Sequence, residues 1–246
     1  MRRRSGTKAD QLYEAVRSDI LHGRLTPGTK LAFAELSARY NAGVGLLREA
    51  LPRLVEQGLA TTEPQLGYRV RSVSLEDLAD LTEARVIIET LTFQRSIEHG
   101  DLAWESRVVA AHHHLAALPV VLPGGELNEE WIAVHSEFHR TLLDACPNKR
   151  LREVSDRLRD VAEVYRCWAL SFPHGRPRDV AGEHMRMADA AVARNVDEAV
   201  QTLSRHITLT TELVVEGHDA AMHGGVITVE EPDAPRRSSK PATSEI

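Results

Sequence analysis

Twelve histidines are spread through this 246-residue sequence, and two of their spacings could bring imidazoles together. His135 and His139 lie four apart, which puts both rings on one face of a helix. His184 and His206 lie 22 apart, on segments that read as consecutive helices able to pack antiparallel. From the residues alone two readings stay open: a shared site for a borderline divalent ion, or separate histidines serving core and surface. His112, His113 and His114 are more conspicuous, but consecutive residues point about 100° apart on a helix and cannot converge on one ion without unwinding it. A solvated helix face is the expectation for them. His135-Ser136-Glu137-Phe138-His139 is not the H-E-x-x-H hydrolase motif, because Glu137 projects away from the face the two histidines share. The sequence also carries no nucleophile elbow, phosphate-binding loop or dinucleotide fingerprint, so nothing points to an enzyme. Two cysteines, Cys146 and Cys167, cannot make a disulfide framework and read as small core thiols of a reducing compartment.

The scaffold for these residues reads as mainly helical. Hydrophobic residues make up 42% of the chain and aromatics only 4%, a composition dominated by Leu and Ala. Charge divides the chain unevenly. Residues 1–73 hold twelve Lys and Arg against seven Asp and Glu, for +5, which leaves −11 for the rest of a chain whose net charge is −6. A basic third joined to an acidic remainder suits a nucleic-acid module attached to something that does not touch nucleic acid. No stretch approaches a membrane span in apolar length. The basic start Met1–Gly6 is followed by no apolar run, so a signal peptide is not expected and a cytoplasmic protein is.

Along the chain, the spacing predicts helices over Lys8–His22 (capped by Thr7), Phe33–Tyr40 and Val44–Gln57, the last interrupted by Pro52, which should kink it. Two short strands, Leu59–Thr62 and Tyr68–Arg71, follow around a tip that needs Gly67. Three helices and a hairpin make a winged helix-turn-helix over 1–73. From Ser74, which opens a capping box with Asp77, the pattern is helical: to His99, then Asp101–Ala117, Asn128–Ala145, Lys149–Leu170, Arg178–Arg194 and Val196–Glu216. Six antiparallel helices over 74–216 imply a bundle, and 217–246 reads as a flexible tail.

At this level the chain resembles a GntR-family regulator of the FadR type, whose helical effector domain is called FCD. The resemblance runs over about residues 8–216. It rests on Leu47-Arg48-Glu49-Ala50-Leu51, on Arg53-Leu54-Val55-Glu56-Gln57-Gly58-Leu59, and on the wing Gly67-Tyr68-Arg69-Val70. In the second domain it rests on Glu83-Ala84-Arg85 with Glu89, Glu137-Phe138-His139-Arg140, Glu183-His184 and Arg205-His206. Tyr165-Arg166 and the His135/His139 pair resemble the branch holding the vanillate and carbon-starvation regulators.

The resemblance implies a homodimer that reads a palindromic operator in double-stranded DNA and answers to a small-molecule effector. The default is repression relieved by ligand, with binding shifting the spacing of the two winged domains. Arg48 is then the expected contact to bases, and Arg39 to the phosphates flanking the groove. Arg53 and Arg69 would add backbone contacts, and Gly67 would let the wing tip approach the minor groove. The entry to the recognition helix departs from the family: Asn41-Ala42-Gly43-Val44-Gly45-Leu46 lacks the usual Ser or Thr cap and the polar groove-facing residues. Family members commonly bind a divalent metal through Asp-x-x-x-His and two later histidines. Here His135 stands at the Asp position, while His139, His184 and His206 match, a set suited to Zn²⁺, Ni²⁺ or a similar ion. The family's effectors are often small carboxylates, for which Arg85 and Arg166 are candidate partners; Arg85 reads equally as half of a structural ion pair with an inward glutamate. The alternatives are a metalloenzyme, or an adaptor whose winged domain contacts protein.

Overall fold

The computed structural model describes residues 7–63, 67–124, 128–169 and 178–222, apart from the side chains of 167–169 and 220–222. The wing tip at 64–66, the Cys167 side chain and the chain from 223 onward therefore lie outside the described residues. The N-terminal part comprises α1 (Lys8–Leu21), α2 (Phe33–Tyr40), α3 (Val44–Glu56) and an antiparallel hairpin of β1 (Ala60–Glu63) and β2 (Gly67–Val70). Thr7 caps α1 in a full capping box with Asp10, which satisfies donors that the first helical turn leaves open. Leu12, Val16, Ile20, Leu47, Leu51 and Leu54 interlock in the core between α1 and α3. α3 runs unbroken across Pro52, and its first turn has no side-chain cap at Gly43.

The strands sit one residue from their expected places, pairing Ala60 with Val70 and Glu63 with Gly67. A third segment pairs with the free edge of β2: Leu31 donates to the Tyr68 carbonyl at 2.8 Å and Val70 to the Thr29 carbonyl at 2.8 Å. The Pro-Gly turn at Pro27-Gly28 sets up this pairing, which protects an edge that would otherwise be open.

The C-terminal part is built from α4 (Leu75–His99), α5 (Leu102–Ala116), α6 (Glu129–Leu143), α7 (Lys149–Ala169), α8 (Val180–Val192) and α9 (Val196–Met222). α4 packs on both α7 and α9, α5 on α6 and α8, and α8 on α9. Phe93, Trp104, Trp131, Phe138, Met187, Leu203 and Ile207 fill the space between them. No described helix is long and apolar enough to cross a membrane.

Two expectations are corrected here. The helix end at Glu216 is overturned, because α9 continues to Met222. Val214 is buried against Leu78 and Leu81 of α4, and Gly217, the first residue of the expected flexible tail, is itself buried on the packed helix. The Ser74 capping box is only half formed. Ser74 accepts from the Asp77 amide at 3.0 Å, but the Asp77 carboxylate turns instead to the Tyr165 hydroxyl at 2.5 Å and the Arg71 guanidinium at 2.7 Å.

Those last contacts show how the two parts meet. Tyr165 belongs to α7, and the same helix inserts Val164 into the core of the winged part and sets Val161 against Gly58. Gly58 adopts φ +75°, which favours glycine, and a Cβ there would stand 3.1 Å from the Val161 methyl, close enough that the methyl would have to give way. One residue away, Asp160 accepts from Arg17 of α1 at 2.5 Å.

Candidate metal centre and nucleic-acid interface

α6 carries His135 and His139 on its inward face, α8 carries His184 and α9 carries His206, and all four are buried. Each offers one ligand atom, and these four atoms lie within 4.8 Å of one another. The Nδ1 atom of His135 and the Nε2 atoms of His139 and His184 are buried without a hydrogen-bond partner. Buried polar atoms are normally paired, so three open imidazole nitrogens aimed into one space fit a cation that accepts their lone pairs.

The surroundings keep the imidazoles neutral, the form that ligates a metal. Burial pushes the His135 and His139 pKa values well below the ordinary range, helped by the fields of Arg166 and Arg159 respectively. Burial also lowers His206, and holds His184 at about 2. His206 is fixed from behind: its Nδ1 lies 2.7 Å from the Glu183 carboxylate, leaving the other ring nitrogen as its ligand atom. Burial alone would raise the Glu183 pKa, but hydrogen bonds from His206 and Arg178 outweigh it and hold the carboxyl at about 2. Trp131, one helical turn before His135, stacks on that ring at 4.6 Å and 17°.

The effector candidates take different positions. The Arg85 Nε donates to Glu89 at 2.6 Å, and Glu89 is fully buried, so the structural ion pair is the arrangement found. Arg166 donates from Nε to Glu163 at 3.0 Å and lies over the Trp131 ring at 5.3 Å, beside the histidines. Sequence reasoning missed Trp131, Arg159 and Arg178. The spacing of Trp131 from His135 was a usable signal; the two arginines are placed by helix packing that local pattern does not reveal. His112 is half-buried against Phe138, with ring centroids 5.8 Å apart, whereas His113 and His114 are exposed as expected. Cys146 is buried and free.

On the winged part, Val44, Gly45, Arg48 and Glu49 form the exposed face of the first turns of α3. Among the described residues no carboxylate lies within ion-pair distance of Arg48. The other arginines are engaged within the fold. Arg39 pairs with Asp19 at 2.6 Å, and Arg69 with Glu63 at 3.0 Å and the Gly28 carbonyl at 2.6 Å. Arg53 lies roughly 140° around α3 from Arg48; it pairs with Asp10 at 2.8 Å and covers the Tyr13 ring at 4.1 Å, so it ties α3 to α1. Gly67 adopts φ +93° at the start of β2, with open space where a Cβ would stand. Lys30, which the sequence did not single out, is exposed beside the wing through its bridge to Arg69.

Comparison with known proteins assigns both parts. The family described as bacterial regulatory proteins, gntR family, matches residues 8–70, and the FCD domain matches residues 80–209. An uncharacterized HTH-type transcriptional regulator, BphR of Paraburkholderia xenovorans (strain LB400), is 34% identical over 205 residues, covering 82% of this chain and 83% of its own. The HTH-type transcriptional repressor GlaR of Escherichia coli (strain K12) is 33% identical over 200 residues, covering 79% and 90%. Among solved structures, E. coli McbR/YncC superposes with a TM-score of 0.73 at 16% identity, over 87% of this chain and 99% of that one, a likeness of fold.

Proposed function

The chain belongs to the GntR family of bacterial regulatory proteins, in the branch with an FCD effector domain, and from that premise we propose a metal-assisted, ligand-responsive repressor. It acts in the cytoplasm as a homodimer on a palindromic operator. α3 enters the major groove with Arg48 reading base edges or phosphate, and Arg39, Lys30 and Arg69 flank it on the backbone. The fold already holds Arg39 and Arg69 in ion pairs, so their DNA contacts require exchange of partners. The four histidines hold a divalent ion, Zn²⁺ being the natural fit for an all-imidazole set, with Ni²⁺ or a similar ion as the substitute. Bound there, the ion supplies a positive charge that attracts a small carboxylate effector, with Arg166 at hand. Repression as the sign of control follows the name of the E. coli relative.

The observation that carries the metal half of this reading is the convergence of four buried imidazoles with three nitrogens lacking partners. Support for the dimer comes from the outer face of α4 and α7. Contacts pair Asp77 with Tyr165, Glu89 with Arg159 and Thr92 with Ser155, so the two helices run antiparallel. Leu91 and Val154, each one residue before the buried Thr92 and Ser155, then fall on the same outer side. Ile87, Leu91 and Val154 are 56%, 38% and 41% exposed, an apolar strip suited to a second copy.

The test is to mix the purified protein with genomic fragments at near-physiological salt, sequence what is retained, and repeat with Arg48→Ala. Recovery of a few palindromic sites that the variant loses is expected. Indifferent retention of all fragments, unchanged in the variant, would overturn DNA reading by α3 and favour the adaptor, a reading that the weakly polar Gly43-Val44-Gly45 entry keeps alive.

A further inference from the structure

Six buried side-chain atoms lack a hydrogen-bond partner among the described residues, and five of them belong to one centre. Three are the imidazole nitrogens described above. The others are Nε of Arg159, on α7, and Oε2 of Glu89, on α4. The Arg159 side chain is 9% exposed and Glu89 is not exposed at all. Glu89 gives one oxygen to the Arg85 Nε at 2.6 Å, and its other oxygen stands 3.6 Å from a terminal nitrogen of Arg159. One carboxylate thus serves two guanidiniums, and Arg85 has the closer share. Arg159 also donates weakly to the Ser136 carbonyl at 3.4 Å, on the turn of α6 between His135 and His139. That contact places its guanidinium against the histidine-bearing turn.

The ionic groups flanking the centre do not balance. Arg85, Arg159 and Arg178 face Glu89 and Glu183, which leaves one positive charge in excess. Next along α7, Asp156 and Asp160 are matched by Arg140 and Arg17, and Arg166 by Glu163, so none of these offsets it. With the imidazoles neutral, a divalent ion raises the excess to three. Buried charge without a counter-charge is costly, and here the open donor belongs to a guanidinium.

We infer that Arg159, not Arg85, is the anchor for a small carboxylate that binds together with the metal. This rests on the metal reading above and adds to it the residue and the linkage. Guanidinium donors match a carboxylate bidentately, and the free Nε of Arg159 with a terminal nitrogen forms such a pair. Because the anion offsets charge that the metal brings, each strengthens the other's binding by the same factor.

The experiment strips the full-length protein with a chelator and titrates it with zinc, free zinc being held by a chelator buffer. Titrations run in chloride and in acetate or succinate at equal ionic strength. In the unmodified protein, carboxylate should tighten zinc binding about tenfold, within the usual 5–150-fold range of such coupling. Arg159→Gln should reduce that enhancement to less than about twofold while still binding zinc in chloride, and Arg159→Lys should restore part of it. Glu89→Gln, which frees both Arg159 and Arg85 of their shared counter-charge, should raise the enhancement. Arg159→Lys, which keeps the charge but loses the bidentate fork, decides between the two arginines if Arg159→Gln fails to fold, since it should lower the enhancement only if Arg159 is the anchor. Zinc binding with equal enhancement in Arg159→Gln, no carboxylate effect in the unmodified protein, or no rise in Glu89→Gln would each overturn the proposal and leave the metal reading standing. Absence of zinc binding in the unmodified protein would overturn both.

Discussion

His184 shows what burial does to a single group here: an imidazole that ordinarily titrates near 6.5 is held at about 2, and His135, His139 and His206 are lowered too. The unfolded chain takes up protons on these four rings as pH falls through 6.5, while the folded chain does so only at lower pH. Below 6.5 the unfolded state therefore binds more protons, and stability is lost as pH falls, by up to about 1.4 kcal/mol per ring per pH unit. Glu183, held at about 2 against an ordinary 4.5, adds a loss in the same direction only below about 4.5. Urea denaturation of the metal-stripped protein should show a midpoint steady from pH 8 to 7 and falling steeply by pH 5.5; a flat profile across that range would contradict the buried, neutral cluster. Zinc at saturating concentration should raise the midpoint at pH 7, since it binds the folded site. The His135/His139 half of this centre was legible from four-residue spacing, and the rest from the family resemblance. Arg159 and Glu89 were not legible as a pair, because their meeting depends on how α7 lies against α4 and not on either helix's own pattern.

At the level of elements, α3 departs from what local preference would choose. Its N-cap is Gly43 with no side-chain hydrogen bond, and Gly45 sits in the first turn with open space where a Cβ would stand. Glycine inside a helix costs roughly 0.5–1 kcal/mol relative to alanine. Gly45→Ala should therefore raise stability by about that amount, or ~1–4 °C in melting midpoint for a chain of this size. The same variant should change operator affinity if the bare backbone approaches DNA there. A gain in stability with unaltered operator binding would mean that this turn stays clear of the duplex. Most element boundaries were readable within a residue or two, because caps such as Thr7, Ser74 and Asn128 mark where helices begin. The end of α9 was missed for a physical reason: glycine weakens a helix on its own, but tertiary packing around Val214 outweighs that preference. The pairing of Thr29 and Leu31 with β2 was missed because so short a segment has no period to read.

Across the whole molecule, α7 touches both parts at neighbouring residues. Arg159 and Arg166 lie seven positions apart beside the histidine centre, while Asp160, Val161, Val164 and Tyr165 engage the winged part. The Tyr165 hydroxyl, its pKa raised to about 12 by burial and by Asp77, also receives a 3.3 Å hydrogen bond from the Ser74 amide at the junction with α4. A shift of α7 on ligand binding would thus bear on Asp77 and, through it, on Arg71 just past β2. Tyr165→Phe removes that hydroxyl with little change in packing. It should leave the fold intact but weaken the effect of zinc plus carboxylate on operator affinity by roughly fivefold, the low end of measured couplings. Fluorescence anisotropy with a labelled operator reads this directly, and undiminished coupling would exclude Tyr165 as a link. The insertion of Val164 into the core that also holds Leu12, Val16 and Leu54 bears on how such regulators can be recombined. The DNA-reading half does not own a complete interior; one of its plugs is lent by its neighbour. A chimera that transplants residues 7–73 onto a foreign sensor inherits a hole at that place, unless the graft carries a matching side chain on the helix that comes to lie there.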